Sequence, residues 1–201
     1  MVASAARSRP GIPLEPLLVS TGLVALAEIG DKTQLLAMLL AARWRRPWPI
    51  LAGIFVATLA NHAGAAALGA LAGHWLDGPW MRWALGLLFL GFAAWTLVPD
   101  RLGEDEAGSS ARGRGGVFLA TACAFFLVEM GDKTQVATVA LAAQFQSIVL
   151  VGMGTTLGMM VANAPVVMLG KVAATALPLG PIRVVAAAMF AGIGIWTLAA
   201  G

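Results

Sequence analysis

The chain is written in long apolar runs separated by short polar breaks. A helix that crosses a bilayer needs ~20 mainly apolar residues, with a range of about 17–25. Six stretches meet or approach that length: Leu17–Ala42, Pro49–Gly73, Trp83–Val98, Val117–Ala143, Ile148–Gly170 and Val184–Ala200. The third and sixth are short and are expected to begin a turn earlier. Brief turns join them at Arg43–Trp48, His74–Arg82, Gln144–Ser147 and Lys171–Arg183. The one long connection, Pro99–Gly116, is rich in Gly, Ser, Arg and acidic residues, as a solvated linker is. The pattern predicts an all-α membrane protein of six transmembrane helices. Residues 1–98 form a first three-helix unit with an N-terminal tail, 99–116 the linker, and 117–201 a second three-helix unit. The first run exceeds a secretory h-region of about 7–15 residues and contains Glu28, Asp31 and Lys32, so it reads as a retained span.

Composition supports the membrane reading. Of 201 residues, 59% are hydrophobic and 11% charged, where soluble domains carry about 45–50% and about 25%. Mean hydropathy is +0.84. This excludes a cytosolic enzyme, a nucleic-acid module and a disordered chain. The lone cysteine, Cys123, sits in an apolar run and provides neither an internal disulfide nor a cysteine metal site. The net charge of +3 is read as orientation signal. Arg43, Arg45, Arg46, Arg101, Arg112, Arg114, Lys171 and Arg183 fall on one side of the spans, and Arg7, Arg9 and Arg82 on the other. The positive-inside bias places the linker in the cytoplasm and both termini outside. Trp44, Trp48, Trp75, Trp80 and Trp83 cluster near span ends, as interfacial anchors do.

The halves repeat each other. Glu28 and Glu129 stand 101 residues apart, and Gly30/Gly131, Asp31/Asp132, Lys32/Lys133, Thr33/Thr134 and Gln34/Gln135 share that offset. So do Gly53/Gly154, Arg82/Arg183, Phe89/Phe190 and the Trp-Thr-Leu runs at 95–97 and 196–198. Asn61 and Asn163 stand 102 apart, a one-residue adjustment within the second span of each half. Three spans per half is an odd number, so two halves of like fold lie inverted relative to each other. That plan is common in secondary transporters, whose substrate site lies near the midplane between repeats.

The scarce charges are the candidate chemistry. Glu28, Asp31 and Lys32 lie mid-way along the first span, and Glu129, Asp132 and Lys133 along the fourth. Each charge at the bilayer centre costs at least ~2.5–3.5 kcal/mol, so these groups must face one another, water or an ion. On a continuous helix at ~100° per residue, Glu28, Asp31 and Lys32 share one face, with Gly30 nearly opposite for close packing or a local break. Brought together by an inverted two-fold, four carboxylates surround one volume. Hard divalent cations take such oxygen ligands, with Gln34, Gln135, Thr33 and Thr134 as further oxygen donors. Each Glu-Asp-Lys set has formal charge −1, and one divalent cation balances the pair. Without the cation, protons take its place, the minimum that a cation/proton exchanger needs. The alternative is structural: Glu28–Lys32 and Glu129–Lys133 have the i, i+4 spacing of intrahelical ion pairs. That reading leaves the two aspartates unexplained, and it makes Lys32 and Lys133 internal counter-ions.

Other polar positions keep two readings. Asn61 and Asn163 suit a carbonyl ligand or pathway lining, and equally an interhelical hydrogen bond. His62 has no repeat partner, which weighs against a role as metal ligand or proton relay.

The doubled Glu-x-Gly-Asp-Lys-Thr motif, Glu28-Ile29-Gly30-Asp31-Lys32-Thr33 and Glu129-Met130-Gly131-Asp132-Lys133-Thr134, resembles that of the Ca/Mn cation–proton antiporter family found from bacteria to the eukaryotic Golgi. The resemblance runs from Leu17 to Ala200. It implies export of Mn²⁺ or Ca²⁺ against inward proton flow. Glu28, Asp31, Glu129 and Asp132 would hold the metal, with Gln34 and Gln135 as added ligands. The chain is expected to be a multi-pass protein of a bacterial-type inner (plasma) membrane, and, since no nucleophile–base arrangement or cofactor motif appears, neither an enzyme nor a cofactor binder. Its partners would be the divalent cation, protons and the lipid bilayer; homo-oligomerisation is left open. The competing classes are a passive cation channel and an exporter of amino acids or other organic cations.

Overall fold

The computed structural model describes residues 14–75, 79–98, 116–169 and 179–199. The N-terminal tail, all but the last residue of the Pro99–Gly116 linker and most of the Lys171–Arg183 turn lie outside the described residues. Within them the chain forms eight helices: α1 (Glu15–Glu28), α2 (Lys32–Trp44), α3 (Pro47–Trp75), α4 (Pro79–Thr96), α5 (Gly116–Glu129), α6 (Lys133–Phe145), α7 (Ile148–Leu169) and α8 (Leu179–Ala199). No strand occurs among the described residues. Three segments are long and apolar enough to cross a membrane by length and composition: Pro47–Gly73 of α3, all of α7 and all of α8. They correspond to the expected second, fifth and sixth spans, and α4 covers the third.

The expected first and fourth spans differ from the prediction, because each is two helices and not one. The chain leaves helical geometry after Glu28 and after Glu129 and resumes it at Lys32 and Lys133. Gly30 has φ +82° and Gly131 φ +77°. That left-handed conformation interrupts a right-handed helix and is open to glycine at no steric cost. The single-face geometry expected for Glu28, Asp31 and Lys32 therefore does not apply: the glutamate ends one helix and the aspartate opens the next.

The halves are interlocked. α1 packs on α7, α5 packs on α3, and α3 and α7 meet at the centre. Glycine sets the closeness of the first two contacts in the same way: a Cβ at Gly154 would lie 2.7 Å from the Leu17 carbonyl oxygen, and one at Gly53 2.8 Å from that of Phe118. Small residues allow such backbone approach where lipid supplies no hydrophobic drive. One core cluster holds Leu23, Phe89, Phe92, Leu141, Val151 and Phe190, joining α1, α4, α6, α7 and α8. A second holds Leu36, Leu40, Ile50, Ile54 and Phe125, joining α2, α3 and α5. Leu18, Leu68, Leu127, Val149 and Ile195 point outward. A soluble monomer rarely shows so broad an apolar exterior.

A candidate metal centre at two helix breaks

Both breaks are built on the same residue types and the same backbone bonds. The Asp31 N–H donates to the Glu28 carbonyl and the Asp132 N–H to the Glu129 carbonyl, each at 3.0 Å. The glutamine that closes the motif folds back. Gln34 Oε1 accepts the Gly30 N–H at 2.8 Å, and Gln135 Oε1 accepts the Gly131 N–H at 2.6 Å. Gln34 Nε2 also donates to the Ala162 carbonyl on α7 at 3.0 Å. The two glutamines, expected as added ligands, here shape the break, since their amide oxygens are directed at backbone N–H groups.

The break aims helix ends at the site. Glu28 and Glu129 sit at the carbonyl ends of α1 and α5, where the helix dipole favours nearby positive charge. Asp31 and Asp132 occupy the N-cap positions of α2 and α6, where the helix dipole favours a carboxylate, and of the two only Asp31 makes a side-chain cap bond. Asp31 Oδ2 accepts the Thr33 N–H at 3.4 Å. Broken helices that present such ends to charged cargo recur in transporters.

Three carboxylates from the two halves converge. Glu28, Asp31 and Asp132, all buried, each offer an oxygen within 4.8 Å of the others. Glu28 Oε2 accepts a hydrogen bond from the Thr33 hydroxyl, and its Oε1 is buried without a partner among the described residues. The fourth acid, Glu129, lies outside this trio and is held from α3. Thr58 donates to its Oε1 at 2.9 Å and Asn61 Nδ2 to its Oε2 at 3.3 Å. The Thr134 hydroxyl stands 3.5 Å from Asp132 Oδ2.

The lysines pair differently from the i, i+4 expectation. Lys32 reaches Asp132 of the other half, Nζ to Oδ1 at 3.3 Å. Lys133 donates to the Val98 carbonyl at 3.1 Å and lies 5.7 Å from the centre of the Trp95 ring. With the helix broken, a residue past the break no longer projects over the turn before it.

The two asparagines also part company. Asn61 bonds Glu129 and the Phe126 carbonyl, so its interhelical and site-lining readings coincide. Asn163 turns inside its own helix, bonding the Met159 carbonyl and sulfur at 3.0 Å each, with its Oδ1 buried and unpartnered. His62 is fully buried in α3, and neither ring nitrogen has a hydrogen-bond partner among the described residues. Thr58 is a site residue that the sequence reading missed. Its signal was its i, i+3 spacing to Asn61, which places both on one face of α3.

Known proteins resemble the chain over most of its length. The family model described as "Divalent cation/proton antiporter GDT1" matches residues 16–104 and 117–201. A Vibrio cholerae protein named "Putative manganese exporter" is 51% identical over 175 residues, covering 87% of this chain and 86% of that protein. A Synechocystis "GDT1-like protein sll0615" is 31% identical over 142 residues, 60% of this chain and 66% of the relative. "GDT1-like protein 3" of Oryza sativa is 25% identical over 209 aligned residues, 92% and 74% respectively. No solved structure matches the chain.

Proposed function

The chain belongs to the GDT1 family of divalent cation/proton antiporters, and on that premise we propose that it exports Mn²⁺ or Ca²⁺ in exchange for protons through the acids of its two helix breaks. The observation that carries this reading is the convergence of Glu28, Asp31 and Asp132 oxygens within 4.8 Å. Ligand oxygens on opposite sides of a Ca²⁺ ion at 2.3–2.6 Å stand about 4.6–5.2 Å apart, so the trio fits around one hard cation. Manganese is favoured by the name of the Vibrio relative.

Charge supports exchange over simple passage. Glu28, Asp31, Glu129 and Asp132 carry four negative charges against the two positive charges of Lys32 and Lys133. One divalent cation balances the remainder, and protons on the carboxylates balance it once the cation leaves. Each half-cycle thereby avoids an uncompensated charge in a medium where that is costly. Thr33 orients Glu28, and Thr58 with Asn61 orients Glu129. Gln34 and Gln135 hold the breaks open for the acids. Family membership favours exchange over the channel and organic-cation alternatives.

In this reading the chain crosses the plasma membrane six times as two inverted three-helix repeats, residues 1–98 and 117–201, with the 99–116 linker in the cytoplasm and both termini outside. Metal-resolved uptake into inverted vesicles tests the assignment. Vesicles with an acidic lumen are expected to accumulate Mn²⁺, and a protonophore is expected to abolish the accumulation. Accumulation unchanged by the protonophore would overturn proton exchange. Competition by amino acids and not by divalent metals would overturn the cargo.

A further inference from the structure

The two breaks are alike in themselves and unlike in what covers them. Arg183 of α8 donates to the Gly30 carbonyl at 3.4 Å, and the Leu179 side chain lies against Gly30, 2.9 Å from where a Cβ would stand. Its repeat counterpart, Arg82 of α4, lies 6.0 Å from the centre of the Trp83 ring instead. Its Nε is buried without a partner among the described residues. A Cβ at Gly131 would meet nothing within 4 Å, and Met130 beside it is 56% exposed.

The asymmetry recurs at a second pair. Gln34 ties α2 to the Ala162 carbonyl of α7. The corresponding residues, Gln135 and Ala60, share no hydrogen bond among the described residues; both line an open groove that reaches Asn61, the residue holding Glu129. A third sign is the position of α4 and α8. The two pack on each other; α8 also packs on α1, which ends at the Gly30 break, and α4 touches α6, which begins after the Gly131 break. Phe92 and Phe190 line a pocket that reaches Gly30 and Asp31 of the first break and Lys133 and Thr134 of the second.

We propose that the α4–α8 pair is the gate of the exchange cycle: Arg183 holds it over the Gly30 break in the state seen here, and in the opposite state Arg82 holds it over the Gly131 break. The proposal rests on the antiporter reading and deepens it. Because the sequence repeats, the arginine and glutamine contacts seen in one half are available to the other, although Gly78 stands at the position that repeats Leu179. The chain can therefore form a mirrored state with the same polar residue types, as alternating access between inverted repeats requires. Arg82 and Arg183 are positioning residues here; neither touches the acid trio.

Single cysteines at Ile29 and Met130, in the full chain carrying Cys123→Ser and reconstituted in proteoliposomes, test this with a membrane-impermeant maleimide. Both sites are expected to react, and from opposite faces of the membrane. Arg183→Ala is expected to raise Ile29→Cys labelling and lower Met130→Cys labelling by about tenfold, the shift that one hydrogen bond to a charged group carries. Arg82→Ala is expected to shift both in the reverse sense. A role in folding alone would lower or raise both sites together. Labelling of both sites from the same face, or the same direction of change in the two arginine variants, would overturn the gate. Where an arginine variant fails to fold, labelling with both arginines intact still decides, since one site silent from every face contradicts exchange between two states. Gradient-driven metal flux with no alternation of labelling would sink only the gate, and alternation without metal flux only the cargo assignment.

Discussion

Lys32 makes its ion pair with Asp132, 3.3 Å away in the other half of the chain, and so links the two helix breaks. The pair is mostly buried, and removing one member of such a pair leaves the other charge uncompensated. Lys32→Met is expected to destabilise the fold by about 1–3 kcal/mol. Adding Asp132→Asn is expected to restore much of that loss. Thermal melting of the single and double variants in lipid nanodiscs checks it. Additive losses would mean that the two side chains are not coupled.

The positive φ angles at the breaks set a second expectation. Alanine at Gly30 or Gly131 adopts a left-handed conformation at a cost of about 1–2 kcal/mol. Gly30→Ala also drives a Cβ into Leu179, whereas Gly131→Ala enters open space. Melting temperatures are therefore expected to fall in the order native, Gly131→Ala, Gly30→Ala. Equal losses would mean that Leu179 yields without cost.

Gln34 and Gln135 separate a shaping role from a ligand role. Gln34→Leu removes two hydrogen bonds, to the Gly30 N–H and the Ala162 carbonyl, and is expected to destabilise by about 2–4 kcal/mol. Gln135→Leu loses one bond at a more exposed break and is expected to cost less. Melting in lipid nanodiscs measures both. A Gln34→Leu protein of native stability whose metal affinity alone has dropped would make the glutamine a direct ligand.

Asn61 and Asn163 are a repeat-related pair with unequal tasks. Asn61→Ala takes a donor from Glu129 and is expected to reduce metal flux about tenfold, the scale of one hydrogen bond to a charged group. Asn163→Ala touches no acid and is expected to change flux less. Initial rates of Mn²⁺ uptake decide, and equal losses would contradict the contacts drawn here.

Much of this architecture was legible in the apolar runs. The lengths of Pro49–Gly73 and Ile148–Gly170 gave α3 and α7 to within a few residues, because a bilayer fixes how long an apolar helix must be. The two helix breaks were half legible. Gly30 and Gly131 permitted one, but apolar flanks on both sides made a continuous helix look equally good. What decides is the glutamine four residues on, bonding back to the glycine N–H, a local bond that hydropathy does not register. The Lys32–Asp132 pair could not be read at all, since it depends on how the halves dock. Thr58 was overlooked for the same reason: a lone threonine in an apolar span is ordinary until a carboxylate from another helix lies against it. The doubled motif pointed to these acids, and only the docked helices show that Glu28, Asp31 and Asp132 converge while Glu129 is held from α3.

The central claim is that these acids couple a divalent cation to protons. Its most direct measurement is Mn²⁺ movement in proteoliposomes under an imposed pH gradient, for the native chain, Glu28→Gln and Asp132→Asn. The native protein is expected to move Mn²⁺ uphill under the proton gradient, and both variants are expected to lose that movement. Mn²⁺ flux indifferent to the gradient, or uphill movement that survives Glu28→Gln, would contradict it.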